Sequence, residues 1–201
     1  METLEKFREY RDEVEKFKEE HPEIFYTPNE IANGNKARIE QSVEHDFDLV
    51  EMISHQLTCE KCAIFQGRIY SISGKDKRFP PLSVVLPEGT YQIHMGCKYT
   101  FMIWAESMHT KEEIDEAIAF SNRPFTDPRT QQEKDDYDRF QYYIFKQYMD
   151  GLDYQNLHKL LPDIAPKSFS GYRRMKNAKT KNYLKLVEKA KEVGLDIDKY
   201  R

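Results

Sequence analysis

Three cysteines and one histidine are the residues of this chain whose types and spacing most directly suggest chemistry. Cys59 and Cys62 are separated by two residues, and so are His94 and Cys97. These two pairs contain all three cysteines of the 201-residue protein. Two close pairs of thiolate and imidazole ligands can surround one tetrahedral ion, so the spacing predicts a closed, structural zinc site of the Cys3His type.

Other chemistries are open to the same residues. Cys59 and Cys62 could form a redox pair, but such a motif should follow a buried strand and open a helix, whereas here a predicted helix precedes it and a strand follows. Cys97 and His94 could act as nucleophile and base, although no orienting third group is near them in sequence. The cysteines could also be ordinary buried side chains. The zinc site is the interpretation that accounts for both pairs.

The segment between the two pairs predicts a small β unit. Residues 67–73 alternate apolar and polar side chains and run into a Gly-Lys-Asp turn, which is typical of a strand entering a hairpin. Further strands are expected at residues 84–86 and 100–105, the second with Trp104 in its core. The metal would therefore join the ends of one β unit, at about residues 59–105.

Amphipathic helices are predicted before this unit. Apolar side chains at spacings of three and four indicate one helix over residues 2–20, which Pro22 ends. A second helix is expected to run to about His55, since Ile39, Val43, Phe47, Val50 and Ile53 form one stripe.

Helices are also predicted after the β unit. A capping box at Thr110 and Glu113 begins one that ends near Phe120. A long helix should follow from about Gln131 to Met149, with Gly151 ending it. Shorter helices are expected at residues 154–161, from Ser168, and at 181–193. The predicted fold class is α+β, with a helical region at 1–55, a Cys/His β core at 56–128 and a C-terminal helical region with a basic tail at 129–201.

Charge is distributed unevenly along the chain. The net charge is −4, yet residues 166–201 contain eleven Lys and Arg against four Asp and Glu, which leaves −11 on residues 1–165. A basic tail on an acidic body suits nucleic acid or an acidic protein surface, and the second partner is the one favoured here. A solvated helical face is the alternative. The candidate contacts are Arg173, Arg174, Lys176, Lys179 and Lys181.

Composition argues against several classes of protein. No apolar run approaches the roughly 18 residues of a membrane span, and the first residues lack the apolar core of a signal peptide. An odd number of cysteines without an export signal argues against disulfides and fits a reducing compartment. We find no carboxylate cluster, phosphate-binding loop or activated nucleophile, so no enzymatic activity is expected.

The central segment resembles a known family. Three parts of the segment carry the resemblance: Cys59-x-x-Cys62, then Phe65–Pro80 with its Gly-Arg-Ile-Tyr-Ser strand, then Ile93-His94-x-x-Cys97. Together they are similar to the central block of phage head-morphogenesis proteins, the Mu F-type minor capsid proteins of tailed phages and prophages. That family ends the block with His-Pro-Asn-Cys-Arg, where this chain has His-Met-Gly-Cys-Lys. The connector at residues 122–129 is similar to the family's downstream Asn-(Arg/Lys)-Pro-Phe-x-Asp-x-Arg link. The resemblance covers roughly residues 45–130.

The resemblance implies a structural, non-enzymatic protein of the phage head, found in the virion and in the cytoplasm of the bacterial host. It implies association with the portal or major capsid protein during procapsid assembly and contact with packaged DNA, without a membrane or a small-molecule substrate. Two alternatives come from the residues themselves. One is a zinc-containing nuclease of the HNH type, and the other is a DNA-binding regulator that uses the last two helices as a helix-turn-helix.

Overall fold

The computed structural model of the protein describes residues 2–21, 28–87, 89–94 and 98–200. The described residues form two compact units, one from Met1–Phe17 and Asp138–Arg201 and the other from Lys18–Tyr137. This division differs from the three regions predicted at 1–55, 56–128 and 129–201. The first helical residues belong with the C-terminal helices because their apolar stripe packs there, and residues 28–55 belong with the β core because they supply one of its strands.

Eight α-helices are present in the described part of the chain. In chain order they are α1 (Glu2–Glu9), α2 (Arg11–Glu20), α3 (Pro28–Glu44), α4 (Glu60–Ala63), α5 (Lys111–Ser121), α6 (Gln131–Leu160), α7 (Phe169–Asn177) and α8 (Lys181–Glu192). Short 3₁₀ helices occur at Leu82–Val84 and Glu106–Met108. Together with a small antiparallel sheet they confirm the predicted α+β class.

The sheet has three strands, β1 (Leu49–Met52), β2 (Ile69–Ser71) and β3 (Phe101–Ile103), in the order β2–β1–β3. Both neighbours pair with β1 in antiparallel register, so that Val50 lies opposite Tyr70 on one side and Ile103 on the other. The strands predicted around residues 67–73 and 100–105 are confirmed. The hairpin predicted after residue 73 is corrected, because β2 pairs with the preceding strand β1.

The central strand corrects the prediction of a helix up to His55. α3 ends at Glu44, and Asp46 adopts a left-handed conformation with φ of 61°, which a short polar side chain tolerates. Val50 and Met52 are then buried two residues apart on one face of a strand. An apolar spacing of three or four residues had matched a helix across this break, yet Val43 and Phe47 remain exposed.

A second correction concerns residues 84–86, where a short strand was predicted. The chain instead turns in a 3₁₀ helix, in which Val84 N–H donates to Pro81 O at 3.0 Å and Val85 N–H to Leu82 O at 2.9 Å. This turn buries Leu82, Val85 and Leu86 in the core, which explains the apolar run.

Two hydrophobic clusters cover the two faces of the sheet. One contains Val50, Met52, Tyr70 and Phe101 with Cys62 among them. The other contains Leu49, Ile69, Phe79 and Trp104 against the apolar side of α5. Trp104 is therefore a core residue, as predicted. The capping box of α5 is also confirmed, since the Thr110 hydroxyl accepts from Glu113 N–H at 3.2 Å and the Glu113 carboxylate accepts from Thr110 N–H at 2.8 Å.

The other unit is helical. α1 and α2 are separated at Tyr10, where one continuous helix was predicted, and their buried residues include Phe7, Val14 and Phe17. The Phe17 ring contacts the Phe145 ring of α6 edge to face, with centroids 5.3 Å apart.

α6 does not end at Gly151 as predicted but continues to Leu160. Packing outweighs the low helix propensity of glycine here, because Asp150, Asp153 and Leu157 are all buried around it. The last part of α6 forms a core with α7 and α8 through Leu157, Tyr172, Tyr183, Leu186, Ala190 and Ile197.

Candidate metal centre

Local backbone structure brings the two sulfur atoms of the first pair together. Cys59 immediately precedes the one-turn helix α4, and Cys62 lies within it. The pair therefore follows strand β1 and opens a helix, which corrects the prediction that a helix precedes the pair and a strand follows it directly. Cys59 O accepts from the N–H groups of Cys62 and Ala63, at 3.2 and 2.9 Å. Residues three apart on a helical turn lie on the same face, so this turn directs both side chains to one side. Cys62 is 1% exposed, and Cys59 is half-buried.

The imidazole of His94 completes a three-residue cluster. Its Nε2 lies 3.1 Å from Cys59 Sγ and 3.0 Å from Cys62 Sγ, and all three potential ligand atoms lie within 4.8 Å of one another. Both cysteines are free thiols. The structure therefore brings together three of the four predicted ligands, and this group could bind a metal ion. Cys97, the fourth, lies outside the described residues.

The distances in this cluster are close to those around a tetrahedral ion. Zinc bonds of about 2.3 Å to sulfur and 2.0–2.1 Å to nitrogen place neighbouring sulfur and nitrogen ligands about 3.5 Å apart. The observed separations of 3.0 and 3.1 Å are shorter by about half an ångström, so a small shift of the imidazole would admit an ion. Soft thiolate and imidazole donors suit zinc and other thiophilic metals rather than magnesium or calcium.

Electrostatics at the cluster favour the form of cysteine that binds metals. The hydrogen bond with Cys62 lowers the pKa of the Cys59 thiol to about 4, and His94 acts in the same direction while burial opposes the shift. Because the thiolate is the metal-binding form of cysteine, Cys59 is prepared to act as a ligand near neutral pH.

A buried amide supports the segment on which His94 lies. Asn35, on α3, is wholly buried. Its Nδ2 donates to Tyr91 O at 3.0 Å and to Tyr99 O at 2.9 Å, while its Oδ1 accepts from Phe101 N–H at 3.2 Å. Tyr91 precedes His94 in the chain and Tyr99 follows Cys97, so one side chain fixes both ends of the second ligand pair's segment.

Asn35 was not among the candidate residues named from the sequence. The signal was available, because Asn35 lies four residues before Ile39 on the apolar face of α3. A polar amide on the buried face of a helix must find hydrogen-bond partners.

An arginine supports the first pair in a similar way. The guanidinium of Arg129 donates to Thr58 O at 2.7 Å, directly before Cys59. Two further hydrogen bonds, of 2.9 and 2.8 Å, link it to the Asp127 carboxylate and lower the pKa of Asp127 to about 2. The Thr58 hydroxyl also hydrogen-bonds with the Tyr99 hydroxyl. Thr58, directly before Cys59, is therefore linked to Tyr99 through their side chains.

The connector at residues 122–129 is fixed to the sheet by another arginine. Arg68, just before β2, is 6% exposed and donates to the carbonyls of Ser121, Arg123 and Pro124 at 2.9, 2.6 and 2.9 Å. Its guanidinium lies 4.3 Å from the centroid of the Phe125 ring. These contacts hold the chain between α5 and Arg129 against the β core.

The five basic candidates in the C-terminal region differ in their surroundings. Arg174, Lys179 and Lys181 are exposed, as a contact surface requires. Arg173 is partly buried, with its Nε 3.5 Å from Asp150 Oδ2.

The prediction for Lys176 is corrected, because this side chain is fully buried and cannot reach a partner molecule. Its Nζ lies 2.8 Å from Asp150 Oδ1 and 3.2 Å from Asp153 Oδ2. A buried ammonium group needs such carboxylates, so Lys176 is part of the core between α6 and α7.

Comparison with protein-family models, curated proteins and solved structures found no match to this chain.

Among the described residues, no helix combines the length and the apolar character that crossing a membrane requires.

Proposed function

We propose that this chain is a structural, zinc-stabilised minor capsid protein of a tailed phage or prophage head. The observation that supports the proposal is the grouping of Cys59, Cys62 and His94 in one partly buried cluster beside a small sheet. These residues occupy the positions at which the sequence resembles the head-morphogenesis proteins.

Zinc is the metal that we propose for the cluster. Cys59, Cys62 and His94 would supply three ligands. Cys97, three residues after His94, would supply the fourth. Four protein ligands leave no open position, which is typical of a structural rather than a catalytic site. Bound zinc would link α4 to the segment before β3. It would thereby hold together the two ends of the part of the chain that contains β2.

The proposed role is assembly rather than catalysis. The resemblance to head-morphogenesis proteins supports docking on the portal or the major capsid protein in the procapsid. The sequence also supports this role, because its amphipathic helices on both sides of the β core suit docking into a larger shell.

The test uses the phage or prophage that encodes the chain. A Cys62→Ser variant should lower the amount of this protein in purified heads and the yield of DNA-filled heads, while host lysis proceeds normally. Ser83→Ala, at an exposed position of the same unit, is the matched control and should behave like the unaltered phage. Fully infectious particles that lack the chain would refute the proposed function.

A further inference from the structure

The corner between α7 and α8 is strongly basic. Three residues, 178–180, separate the two helices. Lys179 turns the chain with φ of 49°, and the Thr180 hydroxyl caps α8 by accepting from Tyr183 N–H at 3.2 Å. We call the exposed side chains around this turn the basic corner; they are Arg174, Lys179, Lys181 and Lys185.

The charges of the basic corner are not compensated nearby. Residues 167–191 contain nine Lys and Arg and a single acidic residue, Glu188. Lys176 is neutralised by buried carboxylates, and Lys189 pairs with Glu192 at 2.9 Å. Within the described residues, the four members of the basic corner have no ion pair with a carboxylate. Four exposed cations within residues 174–185, without counter-charges, predict an anionic partner.

Helix α8 holds its two members of the basic corner on the side away from its buried residues. The helix buries Tyr183, Leu186, Val187 and Ala190. Lys181 and Lys185, four residues apart, lie on the opposite, solvent-facing side. The partial positive charge at the beginning of α8 adds to theirs.

Buried contacts hold the corner in place. The ion pairs of Lys176 with Asp150 and Asp153 fix α7 to α6. The Tyr183 hydroxyl donates to Ile197 O at 3.0 Å, which fixes α8 to the end of the chain. Because these buried contacts already fix the backbone of the corner, binding of a partner does not require the backbone to become ordered.

The chemistry of the corner favours nucleic acid over protein. Lysine is depleted in protein–protein interfaces, whereas interfaces with DNA are strongly positive. Two short helices joined by a three-residue turn also form the sequence of elements in a helix-turn-helix, whose second helix contacts DNA through its first residues. We infer that the basic corner binds the phosphate backbone of duplex DNA. This inference replaces the acidic protein surface that the sequence favoured, and it does not depend on the proposed role in the phage head.

The test measures binding of the full chain to fluorescently labelled duplex DNA by anisotropy. If the four cations each neutralise one phosphate, raising the salt from about 50 to about 150 mM NaCl should weaken binding about 50-fold. A Lys181→Gln/Lys185→Gln variant should bind more weakly at low salt and lose only about sevenfold over the same range, because two phosphate contacts remain. Lys75→Gln/Lys111→Gln makes the same charge change at exposed lysines of the other unit and should leave binding unchanged.

Two results would overturn the inference. One is absence of DNA binding at low salt by the unaltered chain, and the other is an equal loss of binding in the Lys75→Gln/Lys111→Gln control. Poly-glutamate serves as the probe for an acidic protein partner. Binding of poly-glutamate without binding of DNA would assign the basic corner to protein instead.

Discussion

Replacing Asn35 with aspartate should weaken the metal site without touching any of its ligands. The side chain keeps its size and the oxygen that accepts from Phe101 N–H. It loses the amide group that donates to Tyr91 O and Tyr99 O, at 3.0 and 2.9 Å. An oxygen would then face two carbonyl oxygens in a buried position. The segment that contains His94 would lose the hydrogen bonds that hold its two ends, at Tyr91 and Tyr99.

The size of the effect follows from these contacts. Each buried carbonyl left without a donor costs about 1–3 kcal/mol, so the two together should lower the free energy of unfolding by about 2–6 kcal/mol. Groups that orient metal ligands typically change metal affinity about 10–100-fold when they are lost. We therefore expect the zinc dissociation constant of Asn35→Asp to rise by that factor.

Two assays check this prediction. Denaturant unfolding with zinc in excess measures the stability, and competition with a chromogenic chelator measures the zinc dissociation constant. Asn33→Asp introduces the same change at an exposed position of the same helix and should alter stability by no more than about 0.5 kcal/mol. If Asn35→Asp matches Asn33→Asp in both assays, the proposed support of the metal site by Asn35 is refuted.

Three further predictions concern the metal, the buried ion pairs and catalysis. Removing metal with a chelator should lower the thermal midpoint, and returning zinc should restore it, because a structural ion contributes to folding; an unchanged midpoint would argue against a structural role. Lys176→Met should destabilise the protein by about 3 kcal/mol, measured by denaturant unfolding, because the buried Asp153 loses Lys176, whereas Asp150 keeps Lys146 and Arg173 nearby. The exposed Lys179→Met is its control, and equal stability of the two variants would contradict the prediction. Plasmid DNA should remain intact with the purified protein and divalent metal, and cleavage that His94→Ala abolishes would support the nuclease alternative.

The first ligand pair and the starts of α5, α7 and α8 were predictable because their signals are local. The types and the spacing of Cys59 and Cys62 are visible in the sequence, although the helical turn α4 that holds them was not predicted. The caps of α5, α7 and α8 each depend on a hydroxyl side chain and an N–H group three residues later. Such features need no knowledge of the rest of the chain.

The features that could not be predicted depend on distant partners. β1 was mistaken for helix because Val50 and Ile53 continue the spacing of α3, and only pairing with β2 and β3 selects a strand. Lys176 looked like a surface cation in a basic segment, since Asp150 and Asp153 lie more than twenty residues earlier in the chain. Asn35 acquires its role only when Tyr91, Tyr99 and Phe101 come to lie against α3.

The most direct test of the proposed structural zinc site is the metal content of the protein. Protein purified without chelator should contain close to one zinc per chain by mass spectrometry of the metal, with all cysteines reduced. Cys62→Ser should lose both the zinc and thermal stability, because Cys62 Sγ lies in the cluster with Cys59 and His94. A zinc content near zero in the unaltered protein with reduced cysteines would contradict the proposed zinc site.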